Sequence, residues 1–138
     1  MKPLFDFLSS CLGCEGLIVI KPGFEQYQEA IISKFQDAGW RIKRMRTTQL
    51  VLEQAHKLYE PHKDKDFYED LCKYMCSGPC TAVVLTKDPS QIESDDPLKE
   101  IAEIKNEIRK EWSESEMRNV IHSTDDPSRL KTEIGIFL

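Results

Sequence analysis

Apolar positions along the chain form two kinds of run. The short continuous ones, LIVI within EGLIVIKPG (15–23) and TAVVLT (81–86), have the length and β-branched content of buried strands. The longer ones recur every three to four positions, the period of a helix with one buried face. In EQYQEAIISKFQDAG (25–39) that stripe is Tyr27, Ala30, Ile31, Phe35 and Ala38, and Gly39 supplies the stop. Residues 50–60 and 66–78 read as two further helices, the second ending at Gly78. WRIKRMRTT (40–48) is a strand by residue type, although weakly patterned after Ile42.

The polar stretch KDPSQIESDD (87–96) reads as a loop. Asp96-Pro97 then has the form of an N-cap followed by a first-turn proline, opening a helix with Leu98, Ile101, Ile104, Ile108 and Trp112 on one stripe. NVIHST (119–124) is a short strand, and Asp126-Pro127 repeats the cap signal before a last helix carrying Leu130, Ile134 and Phe137. Four strands interleaved with helices predict an α/β sandwich.

Composition narrows the class. A chain of 138 residues, 40% hydrophobic and 31% charged, is long enough for one globular core. The net charge of −5 disfavours non-specific binding to nucleic acid or anionic lipid, yet a few clustered Lys and Arg can still hold a small anion. No run approaches the roughly 20 apolar residues of a membrane span, and the start, which contains Asp6, lacks a signal peptide's long apolar segment. Five cysteines cannot all pair within one chain, which points to a reducing, cytoplasmic setting. Cys11 and Cys14 have redox or zinc spacing, but no second pair accompanies them; Cys72, Cys76 and Cys80 fit better as small apolar residues.

Candidate chemistry gathers at two strand ends. Lys21, where LIVIKPG leaves its strand, stands where α/β sheets often form ligand crevices. His122 sits between an apolar run and a group of hydroxyls and carboxylates. Its imidazole titrates near neutrality, so it can serve as nucleophile or base. If the last helix folds back over the strand, Glu133 can hold one ring nitrogen and leave the other free. Arg118, Asn119 and Thr124 bring a guanidinium, an amide and a hydroxyl nearby. A partly buried histidine satisfied by a backbone carbonyl fits the same spacing. Tyr59, Phe67 and Tyr68 flank the loop PHKDKD, where a flat ring system can stack or where the aromatics simply join the core.

Four stretches, LIVIKPG, AIISKFQDAGWRI, DFYEDLCKYMCSGPCTAVVL and IRKEWSESEMRNVIHSTDDPSRLKTEI, together resemble the nucleoside diphosphate kinase family over most of residues 15–137. The resemblance implies a ferredoxin-like α/β sandwich with a four-stranded antiparallel sheet, a βαββαβ core and added helices, over residues 15–138. Residues 1–14 would be an N-terminal extension. It also implies transfer of the γ-phosphate of a nucleoside triphosphate to a nucleoside diphosphate, by a ping-pong route through a phosphohistidine at His122. Glu133 would orient that histidine. Lys21 and Arg109 would contact phosphate, and Asn119 would hold ribose and phosphates. Tyr68 would stack on the base, Tyr59 would line the histidine's pocket, and Thr124 would keep a hydroxyl near the histidine. Mg²⁺ is expected to travel with the nucleotide phosphates, and the chain is expected to form a homo-oligomer (dimer, tetramer or hexamer). The alternative is a nucleotide-binding or regulatory module with this fold and little phosphotransfer.

The chain departs from the family pattern at three places. KPG replaces KPD at Gly23, and HST replaces HGS at Ser123. Residues 87–107 are acidic and contain neither the arginine nor the threonine that the resemblance calls for before Arg109. Lys99, Lys105 and Arg118 are the cations that could compensate.

Overall fold

The computed structural model describes residues 14–92 and 96–138. Nearly all of the expected extension, including Cys11, lies outside the described residues. Strand β1 (Cys14–Ile20) leads through a 3₁₀ turn into α1 (Gln28–Asp37) and then β2 (Arg41–Thr48). Helices α2 (Leu52–Leu58) and α3 (Tyr68–Met75) follow, then β3 (Cys80–Lys87), α4 (Pro97–Trp112), β4 (Ile121–Ser123) and α5 (Leu130–Phe137). The sheet order is β2-β3-β1-β4, with every neighbouring pair antiparallel. Helices α1 and α4 therefore connect strands that are parallel but separated by one strand, which is the expected ferredoxin-like βαββαβ arrangement.

Both faces of the sheet are covered, and β1 shows why its sequence is a continuous apolar run. Leu17 and Val19 point to one core with Leu58 of α2, Met75 of α3 and Phe137 of α5. Ile18 and Ile20 point to a second core with Phe35 of α1 and Ile101 and Ile108 of α4. A strand buried on both faces has no polar positions to alternate. β2, by contrast, is an exposed edge whose one sheet partner among the described residues is β3, which accounts for its weak pattern.

Two local devices place the site. Helix α4 is capped as its sequence predicts: the Asp96 carboxylate accepts from Leu98 N at 3.0 Å and Lys99 N at 3.3 Å. The helix also sits close on β1, because a Cβ at Gly16 would lie 2.2 Å from Ile101 Cδ1. Before β4 the chain makes a γ-turn. Ile121 N donates to Asn119 O at 2.9 Å across Val120, whose φ of +77° is rare for a β-branched residue. That turn restricts β4 to three residues, shorter than the expected 119–124, and strain of this kind is found at functional sites.

Gly23 explains the KPG departure. Its φ is +93°, and a Cβ there would lie 2.7 Å from the Arg118 guanidinium. Gly23→Ala is expected to cost about 1–3 kcal/mol in denaturant unfolding, and an unchanged midpoint would show that the turn relaxes freely. At the other departure, the Ser123 hydroxyl is buried without a hydrogen-bond partner among the described residues. Ser123→Ala is expected to raise stability by about 1 kcal/mol, and a loss of stability would contradict that reading.

The four described cysteines carry free thiols. Burial pushes Cys72 and Cys80 up to about 11, as befits small core residues rather than reactive thiols. No helix among the described residues is long and apolar enough to cross a membrane.

Candidate active site

A pocket of about 440 Å³ opens beside the β1–β4 edge. Lys21, Lys105 and Arg109 supply its cations, Tyr59, His62, Phe67 and His122 its rings, and Glu116 and Asp125 its carboxylates. β1 delivers Lys21, which follows its last residue. β4 pairs with β1 through Val19↔His122 and Ile20↔Ile121, and this brings residues about a hundred positions apart into one site.

His122 Nε2 lies 2.7 Å from Glu133 Oε1, which the turn at Pro127–Arg129 brings back with the start of α5. Thr124 Oγ1 donates to the same oxygen at 2.7 Å, and Arg129 Nε donates to Oε2 at 3.2 Å. Burial alone would raise the Glu133 pKa, but the hydrogen bonds from His122, Thr124 and Arg129 hold it below the ordinary glutamate range. An ionised carboxylate only accepts, so Nε2 carries the proton and Nδ1 keeps its lone pair. Burial lowers the His122 pKa, with Glu133 opposing and the ammonium groups of Lys21 and Lys105 adding to the decrease. The resting imidazole is therefore neutral near pH 7, with one nitrogen free.

Tyr59 packs edge-on against His122, with centroids 5.8 Å apart at 81°. Its buried hydroxyl has no partner among the described residues, and burial raises its pKa, so it stays protonated. Lys21 Nζ donates to Asn119 Oδ1 at 2.6 Å and reaches Met117 O at 3.5 Å. Burial, helped by repulsion from Arg109 and Lys105, lowers the Lys21 pKa to about 7. Arg109 donates from Nε and Nη2 to Ile121 O at 3.2 and 2.8 Å, which ties α4 to the strand bearing His122.

Five of the eight residues expected from the sequence line this pocket, Lys21, Tyr59, Arg109, Asn119 and His122, and Glu133 stands behind them, bonded to His122. Thr124 is buried behind the histidine and touches Glu133, so it acts on that pair rather than on a ligand. Tyr68 stands elsewhere. Its ring stacks on His56 at 5.4 Å, and its hydroxyl donates to His56 O at 3.3 Å. The aromatic on the pocket wall is Phe67, 45% exposed and one residue earlier. Sequence reasoning also missed His62 and Leu71 as lining residues. Both lie on the α2–α3 side, where the chain shows only a polar loop and a helical stripe.

These features fit a family. A model of the family described as nucleoside diphosphate kinase matches residues 15–138. The chain belongs to the nucleoside diphosphate kinase family. Membership makes it a transferase of the nucleotide phosphotransfer class. The Kosmotoga olearia nucleoside diphosphate kinase is 35% identical over 129 residues, covering 87% of this chain and 85% of that protein. Nucleoside diphosphate kinase 1 of Protochlamydia amoebophila is 37% identical, covering 88% and 89%. The solved Aquifex aeolicus nucleoside diphosphate kinase superposes with a TM-score of 0.76 at 26% identity, over 88% of this chain and 92% of that one. The Halobacterium salinarum enzyme, solved in complex with CDP, agrees in fold with a TM-score of 0.79 at 21% identity, over 91% of this chain and 88% of that one.

Proposed function

We propose that the pocket holds nucleoside tri- and diphosphates in turn, and that His122 carries the γ-phosphoryl group between them. The observation that supports this most strongly is the Glu133-anchored His122, neutral and with Nδ1 free, beside the ammonium of Lys21. The Nδ1 lone pair attacks the γ-phosphorus in line, the bridging P–O bond breaks, and its electrons leave on the nucleoside diphosphate. In the second half-reaction a terminal oxygen of another diphosphate attacks the same phosphorus, and the P–N bond returns its electrons to Nδ1. The imidazole ends neutral, and Nε2–H stays on Glu133 throughout.

Lys21 and Arg109 stabilise charge on the phosphoryl oxygens as it moves. Asn119, whose oxygen is committed to Lys21, offers its amide N–H groups to ribose or phosphate oxygens. Phe67 takes the base-stacking role first assigned to Tyr68. Stacking reads a ring face rather than its edges, so base selectivity should be low. Mg²⁺ usually rests on one or two carboxylates plus substrate phosphates. The carboxylates on the pocket wall that fit this are Asp125 and Glu116. The metal would neutralise part of the phosphate charge. Exposed Ile42 and Met45 on the β2 edge are consistent with assembly into a homo-oligomer, which sedimentation would test.

Labelling decides the matter. With γ-labelled ATP and Mg²⁺ the protein should acquire acid-labile phosphate and lose it to added GDP. An unlabelled protein that still binds nucleotide would instead be a binding module.

The titrating pair predicts a bell-shaped pH dependence. Attack needs neutral His122, so kcat/KM should rise through an acid limb below pH 6.5, the ordinary histidine value. Phosphate binding needs protonated Lys21, so kcat/KM should fall as pH climbs through about 7. Bound phosphates raise the Lys21 pKa again, so the alkaline limb of kcat should lie higher than that of kcat/KM. A kcat/KM still rising through pH 8 would contradict these assignments.

A further inference from the structure

Lys21 and Arg109 are engaged by neutral oxygens of the protein, whereas Lys105 is held differently. It lies one turn before Arg109 on α4, so the two side chains project to the same side. Its side chain is 7% exposed, yet its hydrogen-bond partner among the described residues is Asp125 alone. That contact is 3.3 Å long, and the Asp125 side chain is 69% exposed. An ammonium withdrawn from water is stabilised only by groups that replace its hydration, and one solvated carboxylate replaces little of it. Burial and the nearby Arg109 accordingly lower its pKa, with Asp125 opposing.

The rest of the neighbourhood sharpens the point. Residues 87–107 contain three lysines and no arginine. Lys87 is spent on Ala38 O at 2.7 Å and Glu100 at 2.5 Å. Lys99 is exposed in the first turn of α4 and does not line the pocket. Arg118 pairs with Glu114 at 2.9 Å and lies over the rings of Phe24 and Tyr74, also off the pocket wall. Among the described residues of this segment, Lys105 is the one that brings a charge into the pocket.

We propose that Lys105 is a phosphate-binding residue, which on arrival of a nucleoside di- or triphosphate donates from Nζ to non-bridging oxygens of the terminal phosphates, in exchange for or alongside Asp125. The proposal rests on reading this pocket as the nucleotide site. Three clustered cations are mutually repulsive in the free protein, and a terminal polyphosphate offsets that repulsion where a monophosphate, held farther from Lys105, does not. Lys105 would therefore favour di- and triphosphates over monophosphates without contacting base or ribose.

The test is calorimetric titration of the full chain with MgATP, MgADP and AMP. Lys105→Gln and Lys105→Met remove the charge, and the methionine keeps a stem that fills the same space if the glutamine variant folds poorly. Loss of one charged hydrogen bond should weaken MgATP binding by about tenfold to a hundredfold and leave AMP within about twofold. Unchanged MgATP affinity in a folded variant, or equal losses for AMP and MgATP, overturns the proposal. A wild type that shows this Lys105 dependence but forms no phosphohistidine refutes phosphotransfer and leaves Lys105 assigned. Normal phosphohistidine formation with Lys105-independent affinity does the reverse, and a wild type that binds none of the three overturns both.

Discussion

His122→Ala is expected to lower kcat/KM for phosphoryl exchange by on the order of 10⁴-fold or more, while MgADP affinity stays within about threefold. The loss is large because the imidazole is the covalent carrier, and His122 is the imidazole that Glu133 anchors. Lys21 and Arg109 are cations without a free lone pair when they hold phosphate, and Tyr59 stays a protonated phenol. Binding survives because it rests on Lys21, Arg109 and Phe67, none of which bonds to the imidazole. Stability should fall only modestly, by about 1–3 kcal/mol, since Thr124 and Arg129 still satisfy Glu133. Steady-state exchange kinetics combined with calorimetry checks the split. Residual exchange within tenfold of wild type would assign the carrier to another residue.

Glu133→Gln should reduce kcat by about 10²–10⁴-fold with little change in nucleotide affinity. The carboxylate does two things: it fixes the proton on Nε2, and it supports positive charge on the ring as the Nδ1–P bond forms. A glutamine amide can instead donate to Nε2, which moves the ring proton to Nδ1 and blocks the attacking lone pair; a comparable tautomer error in a hydrolase triad costs about 10⁴-fold. Glu133 also raises the His122 pKa against the effect of burial. Its loss should therefore shift the acid limb of kcat/KM to lower pH, a displacement that a merely structural role would not produce. A rate loss with the limb unmoved would mean that Glu133 acts by packing alone.

The sequence showed some of this site more readily than the rest, for physical reasons. His122 and Glu133 are eleven residues apart. A strand, one capped turn and a helix suffice to bring them together, and Asp126-Pro127 announces that turn. Lys21 and Asn119 are 98 residues apart, and their contact depends on β4 pairing with β1, which periodicity alone cannot supply. Family resemblance carried that part.

Tyr68 and Phe67 differ by one position at the start of α3. There the helical stripe of Leu71, Cys72 and Met75 takes Tyr68 toward the core and leaves Phe67 at the pocket. Lys105 was indistinguishable in sequence from Lys99 and Arg118. What separates Lys105 from Lys99 is the rotation of α4 on β1, set by close packing at Gly16, whereas Arg118 lies beyond that helix and pairs with Glu114. The positive φ of Val120 had no signal either, because β-branched residues ordinarily avoid that region.

The central claim is that Glu133 holds Nε2 and leaves Nδ1 as the attacking atom. Phosphorus NMR of the MgATP-treated protein, with the modified peptide mapped by mass spectrometry, tests it directly. One phosphoryl group per chain is expected, on Nδ1 of His122 and discharged by GDP. A phosphoryl group on Nε2, on another residue, or on none would contradict it.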